Sequence, residues 1–231
     1  MTRPPIDSDA ALAGLYPFLG AKPAAADVDP DMDAALLASV REKAQRTRDT
    51  VERFVDAEGA ALVAAARAIA RSFDGGGRLF AMGNGGSSCD AAHVTVEFLH
   101  PVTPGRQALH AINLTADVAT LTAVANDVGF ESVFARALAA QARAGDALIG
   151  ISTSGNSSNL VAAFAKAKEL GVVTIGLTGE DGGRMRSCGA VDHCLRVPSD
   201  SVHRTQESHV FAYHVLWDLV HTLLAPRRSA R

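Results

Sequence analysis

Arg78-Leu79-Phe80-Ala81-Met82-Gly83-Asn84-Gly85-Gly86-Ser87-Ser88 decides the fold. The first five residues are a short apolar run of the kind a buried strand presents, the glycine-rich stretch closes it, and helical spacing resumes from Cys89 to Leu99. Outward from this segment the same order recurs. Ala108 to Leu114 precedes a helix from about Asp117, Ala147 to Ile151 precedes Asn156 to Leu170, and Val172 to Leu177 precedes Gly179-Glu180-Asp181-Gly182-Gly183. A last strand near His193 to Val197 leads into a long helix from about His203 to Leu224. Near-continuous apolar strands alternating with helices are covered on both faces, so the pattern predicts an α/β protein with a three-layer, doubly wound parallel sheet.

Upstream, Leu36, Leu37, Val40, Val51, Phe54, Val55, Leu62, Val63 and Ile69 recur near helical spacing. This predicts an N-terminal helical extension over Asp31 to Phe73, read as two helices broken near Ala57 to Gly59, with Asp74-Gly75-Gly76-Gly77 as its stop. Residues 1–30, rich in Ala, Pro and Asp without periodicity, read as a poorly structured arm, leaving one domain over 31–226.

Composition narrows the function. The 231 residues are 48% apolar with a net charge of −3, so no chain-wide basic field attracts nucleic acid or a membrane surface, and any anionic ligand is held locally. Three cysteines without metal-type pairing argue against a disulfide framework. The opening MTRPPIDSDA lacks the order of a signal peptide and no apolar run spans a bilayer, so a cytoplasmic location is expected.

In an open parallel sheet, ligands bind outside the carboxyl ends of the strands. Two loops fall there. Ser152-Thr153-Ser154-Gly155-Asn156-Ser157 offers hydroxyl donors and a glycine ahead of a helix N-terminus, which suits a phosphate; ordinary turn and N-cap chemistry accounts for the same residues. The absence of lysine argues against a P-loop and favours a monophosphate. Gly83 to Ser87 suits close backbone approach to a ligand but lacks the dinucleotide fingerprint. His93 and Glu97 are four residues apart, and Gln206 and His214 eight apart, on their respective helices. Such groups ligate divalent metals or move protons, and they equally serve as solvated or core side chains; spacing alone does not decide.

Together these motifs resemble those of bacterial phosphoheptose isomerases of the sugar isomerase (SIS) class. The resemblance rests on Gly83-Asn84-Gly85-Gly86-Ser87 with Asp90-Ala91-Ala92-His93 and Glu97, then Ala125-Asn126-Asp127, Gly150 to Ser157, Leu177-Thr178-Gly179 with Asp181-Gly182-Gly183, and Gln206-Glu207-Ser208-His209 with His214. It spans roughly Asp31 to Leu224 and implies a flavodoxin-like SIS fold. By that resemblance Ser87, Ser152, Thr153, Ser154 and Ser157 cradle a substrate phosphate, while Asn84, Gly85, Gly86, Asn126 and Asp127 line the sugar site. His93, Glu97, Gln206 and His214 match metal-binding positions, usually for one zinc (Zn2+) per subunit; Gln206 and Glu97 also touch substrate, and Glu97 and His214 match the catalytic pair.

The implied reaction converts sedoheptulose 7-phosphate to D-glycero-D-manno-heptose 7-phosphate through an enediol. The implied assembly is a homotetramer with sites at subunit interfaces. One departure stands out: where the family often has Leu-Thr-Gly-Arg after its glutamate, this chain has Phe98-Leu99-His100-Pro101-Val102, leaving Arg106 as the candidate replacement and a different phosphosugar as an alternative. A non-catalytic SIS module that binds a phosphosugar or the replication initiator is the second reading. The presence of both Glu97 and His214 favours the enzyme.

Overall fold

The computed structural model describes residues 30–228. The chain divides into two units, Met1–Glu42 and Lys43–Arg231. The described part of the first is the opening of helix α1; the second carries the sheet. The arm expected over residues 1–30 lies, apart from Pro30, outside the described residues.

Helix α1 runs unbroken from Pro30 to Asp74, which corrects the expectation of two helices parted near Ala57 to Gly59. The reason is the buried stripe that passes through that point: Thr50, Phe54, Glu58, Leu62, Ala65 and Ile69 are all buried at three- to four-residue spacing. A mid-helix glycine costs about 1 kcal/mol. Burying Phe54 and Leu62, at roughly 1.5–3 kcal/mol each, outweighs that. The carboxylate of Glu58, one residue before the glycine, lies 3.2 Å from the Arg196 guanidinium.

The strands are β1 (Leu79–Gly83), β2 (Ala111–Asn113), β3 (Ala147–Ser152), β4 (Val173–Gly179) and β5 (His193–Val197), in the order β2-β1-β3-β4-β5 and all parallel. The second strand is shorter than the predicted Ala108 to Leu114. Between them lie α2 (Gly86–Leu99), α3 (Val118–Asp127), α4 (Val133–Gln141), α5 (Ser158–Glu169), the short α6 (Gly183–Ser187) and the long α7 (Val202–Arg228).

Alternate strand residues feed two separate cores, as the two-residue period of a strand requires. Leu79, Ala81, Ile149 and Ile151 join Phe54, Ile69, Phe98, Tyr213 and Leu216 from α1, α2 and α7. Phe80, Met82 and Leu148 join Phe134, Leu138 and Phe164 from α4 and α5 on the opposite face. At the amino ends of the strands, Asp146 accepts the Arg78 and Arg143 amides at 2.8 and 2.9 Å and pairs with the Arg78 guanidinium at 2.8 Å. Burial alone would raise the Asp146 pKa, but the bonds from Arg78 and Arg143 outweigh it and hold the carboxyl below the usual range. That pin fixes β1 beside β3. Between these two strands the chain order reverses, and their carboxyl ends, Gly83 and Ser152, open the crevice where an open sheet binds ligands.

Candidate active site

Two loops meet at that crevice. Gly83 allows the β1–α2 turn to close tightly, since a Cβ there would sit 2.2 Å from the Ser87 carbonyl oxygen. Asn84, at the head of the turn, exchanges two amide hydrogen bonds with Asn159 of α5, each 2.9 Å. The Asn159 side-chain Oδ1 also accepts the Leu160 amide at 3.0 Å. Asn159 thus ties the first loop to the second, a role nothing in the spacing of the motifs revealed.

In the second loop, the Ser152 and Ser157 hydroxyls lie 3.2 Å apart, and Ser157 makes no side-chain cap to α5. Its hydroxyl is turned to Ser152 instead, beside the positive end of α5, the arrangement that stabilises a phosphate dianion. Gly155 holds a left-handed φ of 64° and packs so closely that a Cβ would lie 2.2 Å from the Gly182 carbonyl oxygen. Further bonds brace the loop against the β4–α6 segment: Met185 N–H to Gly155 at 2.8 Å, Arg184 N–H to the Asn156 side chain at 3.0 Å, and Gly179 N–H to Thr153 at 3.1 Å. Among the serines, Ser87 and Ser152 are buried and Ser154 is exposed.

The acid/base residues gather elsewhere, on α2 and α7. These helices run side by side in the same direction, so that Asp90 meets Gln206, His93 meets Tyr213 and His214, and the Glu97 carbonyl accepts the Trp217 indole N–H at 2.8 Å. One ligand atom each from His93, Glu97 and His214 lie within 4.8 Å of one another. His93 Nε2 is 3.2 Å from the Glu97 carboxylate, while its Nδ1 is 2.8 Å from the Tyr213 hydroxyl. Burial, with the Asp90 and Glu97 carboxylates adding to it, pushes the Tyr213 pKa well up, so the phenol stays protonated.

Two imidazoles and a carboxylate are a suitable donor set for a divalent metal. The surroundings fit it too: a His93 that ligates through Nε2 carries its proton on Nδ1, where the Tyr213 oxygen can accept it. Tyr213 is therefore an orienting partner that sequence reading missed. The Gln206 amide donates to the Asp90 carboxylate at 3.0 Å and lies against Gly86. Burial raises the Asp90 pKa against the opposing effects of Gln206 and His93. Nearby, fully buried His209 is pushed down to about 4 by desolvation and is neutral, held 3.2 Å from the Thr178 carbonyl at the end of β4.

The remaining candidates lie apart. Asn126 and Asp127 end α3, exposed and hydrogen-bonded to each other at 2.8 Å. No hydrogen bond among the described residues joins them to either loop. Arg106 folds back onto α7, its guanidinium 4.4 Å from the centre of the Trp217 ring and 2.5 Å from Asp218. It reaches Glu97 only through Trp217. Cys89, Cys188 and Cys194 are free thiols.

Comparison with known proteins supplies the family. The SIS domain model matches residues 44–179. The chain is 42% identical over 176 residues to a phosphoheptose isomerase of Roseiflexus sp., covering 76% of this chain and 88% of that protein. It is 44% identical over 183 residues to one of Chlorobium phaeovibrioides, covering 78% and 85% respectively. The structure of a phosphoheptose isomerase from Francisella tularensis superposes with a TM-score of 0.76 at 34% identity, over 80% of this chain and 98% of that one. No helix among the described residues is long and apolar enough to cross a membrane. With this sheet order, these loops and these relatives, the chain belongs to the SIS-domain phosphoheptose isomerases, a family of sugar-phosphate isomerases.

Proposed function

We propose that the chain isomerises sedoheptulose 7-phosphate to D-glycero-D-manno-heptose 7-phosphate, in the cytoplasm, with Glu97 and His214 as its proton-transfer pair. The observation that carries this reading is the convergence of Glu97 with His93 and His214 within 4.8 Å, in a chain that also presents the Ser152–Ser157 loop at the head of α5. The Glu97 carboxylate takes a proton from C1, the C–H electron pair forms the C1–C2 double bond, and the carbonyl pair moves to O2. The His214 imidazolium protonates O2, giving the enediol. On the return, His214 takes the O1 proton as the C1 carbonyl forms, and C2 receives the proton held by Glu97, so both groups are restored.

Where His93, Glu97 and His214 instead hold a divalent ion, zinc by family analogy, the ion would polarise the substrate oxygens in place of protonation by the His214 imidazolium. Gln206 is the fourth family ligand position, one that its bond to Asp90 would have to release.

By family analogy the sites are shared between the subunits of a homotetramer. Incubating the zinc-supplied protein with sedoheptulose 7-phosphate and following the aldose by NMR tests the reaction; absence of any turnover contradicts it.

A further inference from the structure

The chain carries a cationic cluster that the proposed reaction does not use. A cavity of about 240 Å³ opens between the Lys43–Arg53 stretch of α1 and the head of α7, walled by Lys43, Arg46, Arg53, His203 and Arg204. Asp200 is the single acidic residue on that wall. The nearby Glu207 carboxylate is engaged by Arg204 at 2.5 Å and by the Thr47 hydroxyl at 2.8 Å.

Arg204 is held in place there. One terminal nitrogen donates to the Lys43 carbonyl at 2.9 Å and the other to Glu207, while its Nε is buried with no partner among the described residues. A buried guanidinium N–H without an acceptor is costly unless a ligand supplies one. The Ser201 hydroxyl, also on the wall, accepts the Arg204 amide at 3.4 Å at the start of α7, so the positive end of a 27-residue helix adds to the field.

We infer that this cavity binds a small phosphorylated metabolite through its phosphate, independently of the Ser152–Ser157 loop, with which it shares no lining residue. The volume equals about eight waters at ~30 Å³ each, more than a bare phosphate occupies and below the ~300–1,000 Å³ of drug-sized sites. Lys43, Arg46, Arg53 and Arg204 on the wall outnumber Asp200 and the Arg204-bound Glu207, a balance that favours an anion, and the planar Arg groups suit phosphate geometry. The inference goes beyond the isomerase reading and does not depend on it.

Calorimetric titration with inorganic pyrophosphate tests it in three proteins: the wild type, a loop variant (Ser154→Ala with Ser157→Ala), and the loop variant carrying Arg46→Gln and Arg53→Gln. The loop variant is expected to retain one equivalent of pyrophosphate binding, weakened by salt. Adding the two arginine changes should weaken that binding at least about tenfold. Both arginines are exposed, so the fold is expected to persist, and circular dichroism checks this. In the otherwise wild-type chain, the arginine changes should leave kcat on the phosphosugar unaltered. Loss of all pyrophosphate binding in the loop variant, or unchanged affinity after the arginine changes, overturns the inference. So does arginine-dependent binding of a short DNA duplex without binding of pyrophosphate.

Discussion

Replacing Tyr213 by Phe removes one hydroxyl from the candidate active site and leaves its shape intact. The ring stays against His93 and His214, at centroid distances of 5.2 and 4.9 Å, but the 2.8 Å bond to His93 Nδ1 is lost. Deleting an orienting partner of a metal-binding histidine can cost ten- to a hundredfold in affinity, the upper end applying where the orphaned N–H is sealed from water. Here the His93 side chain is 42% exposed, so water can take over part of the bond. The loss is then about 1 kcal/mol, or roughly fivefold in zinc affinity.

The same loosening of His93 beside Glu97 should lower kcat while KM for the phosphosugar holds, if phosphate contacts at the serine loop set it as proposed. Zinc titration against a competing chelator, with steady-state kinetics at saturating metal, measures both. A folded Tyr213→Phe protein with wild-type zinc affinity and kcat would refute the claim that Tyr213 orients the site.

Other expectations follow from neighbouring geometry. Gly155→Ala forces a Cβ onto a residue at φ 64° and within 2.2 Å of the Gly182 carbonyl, costing about 1–3 kcal/mol locally; KM should rise roughly tenfold or more while circular dichroism stays native. Asp90→Asn keeps an acceptor for Gln206 but removes a buried charge. Because burial raises the folded pKa of Asp90, the wild type loses stability as pH rises through that value. The variant should therefore melt higher near neutral pH, by about 2–4 °C per kcal/mol gained, and the gap should close below about pH 4; a constant gap across pH would contradict this. If the sites are shared between subunits as proposed, co-assembling Glu97→Gln chains with Ser154→Ala, Ser157→Ala chains should restore turnover that neither variant shows alone. A mixture as inactive as its components would place each site within one chain.

Much of this architecture was legible in the residues. Apolar runs marked β1, β3 and β4 closely, because strands buried on both faces leave a near-continuous apolar signature; the less buried β2 was read too long and β5 was read near its place. The break expected at Gly59 failed because local propensity lost to a buried stripe that only the packed helix reveals. His93 and Glu97 were readable as a pair because four residues bring two side chains onto one helical face. Eight residues turn a helix by about 80° beyond two full turns. That spacing gave no clear signal for Gln206 and His214, which meet Asp90 and His93, three residues apart on α2. Tyr213, Trp217 and Asn159 had no signal of their own, since each acts through a partner 75 to 120 residues away, set by how α7 lies along α2 and how α5 meets the first loop.

The central claim is that Glu97 moves the proton between C1 and C2. Its most direct test is solvent deuterium incorporation into sedoheptulose 7-phosphate and its product by wild-type and Glu97→Gln proteins. The wild type should incorporate deuterium and form aldose, and the variant should do neither while still binding inorganic phosphate at the serine loop. A Glu97→Gln protein that exchanges and isomerises at the wild-type rate would contradict the account.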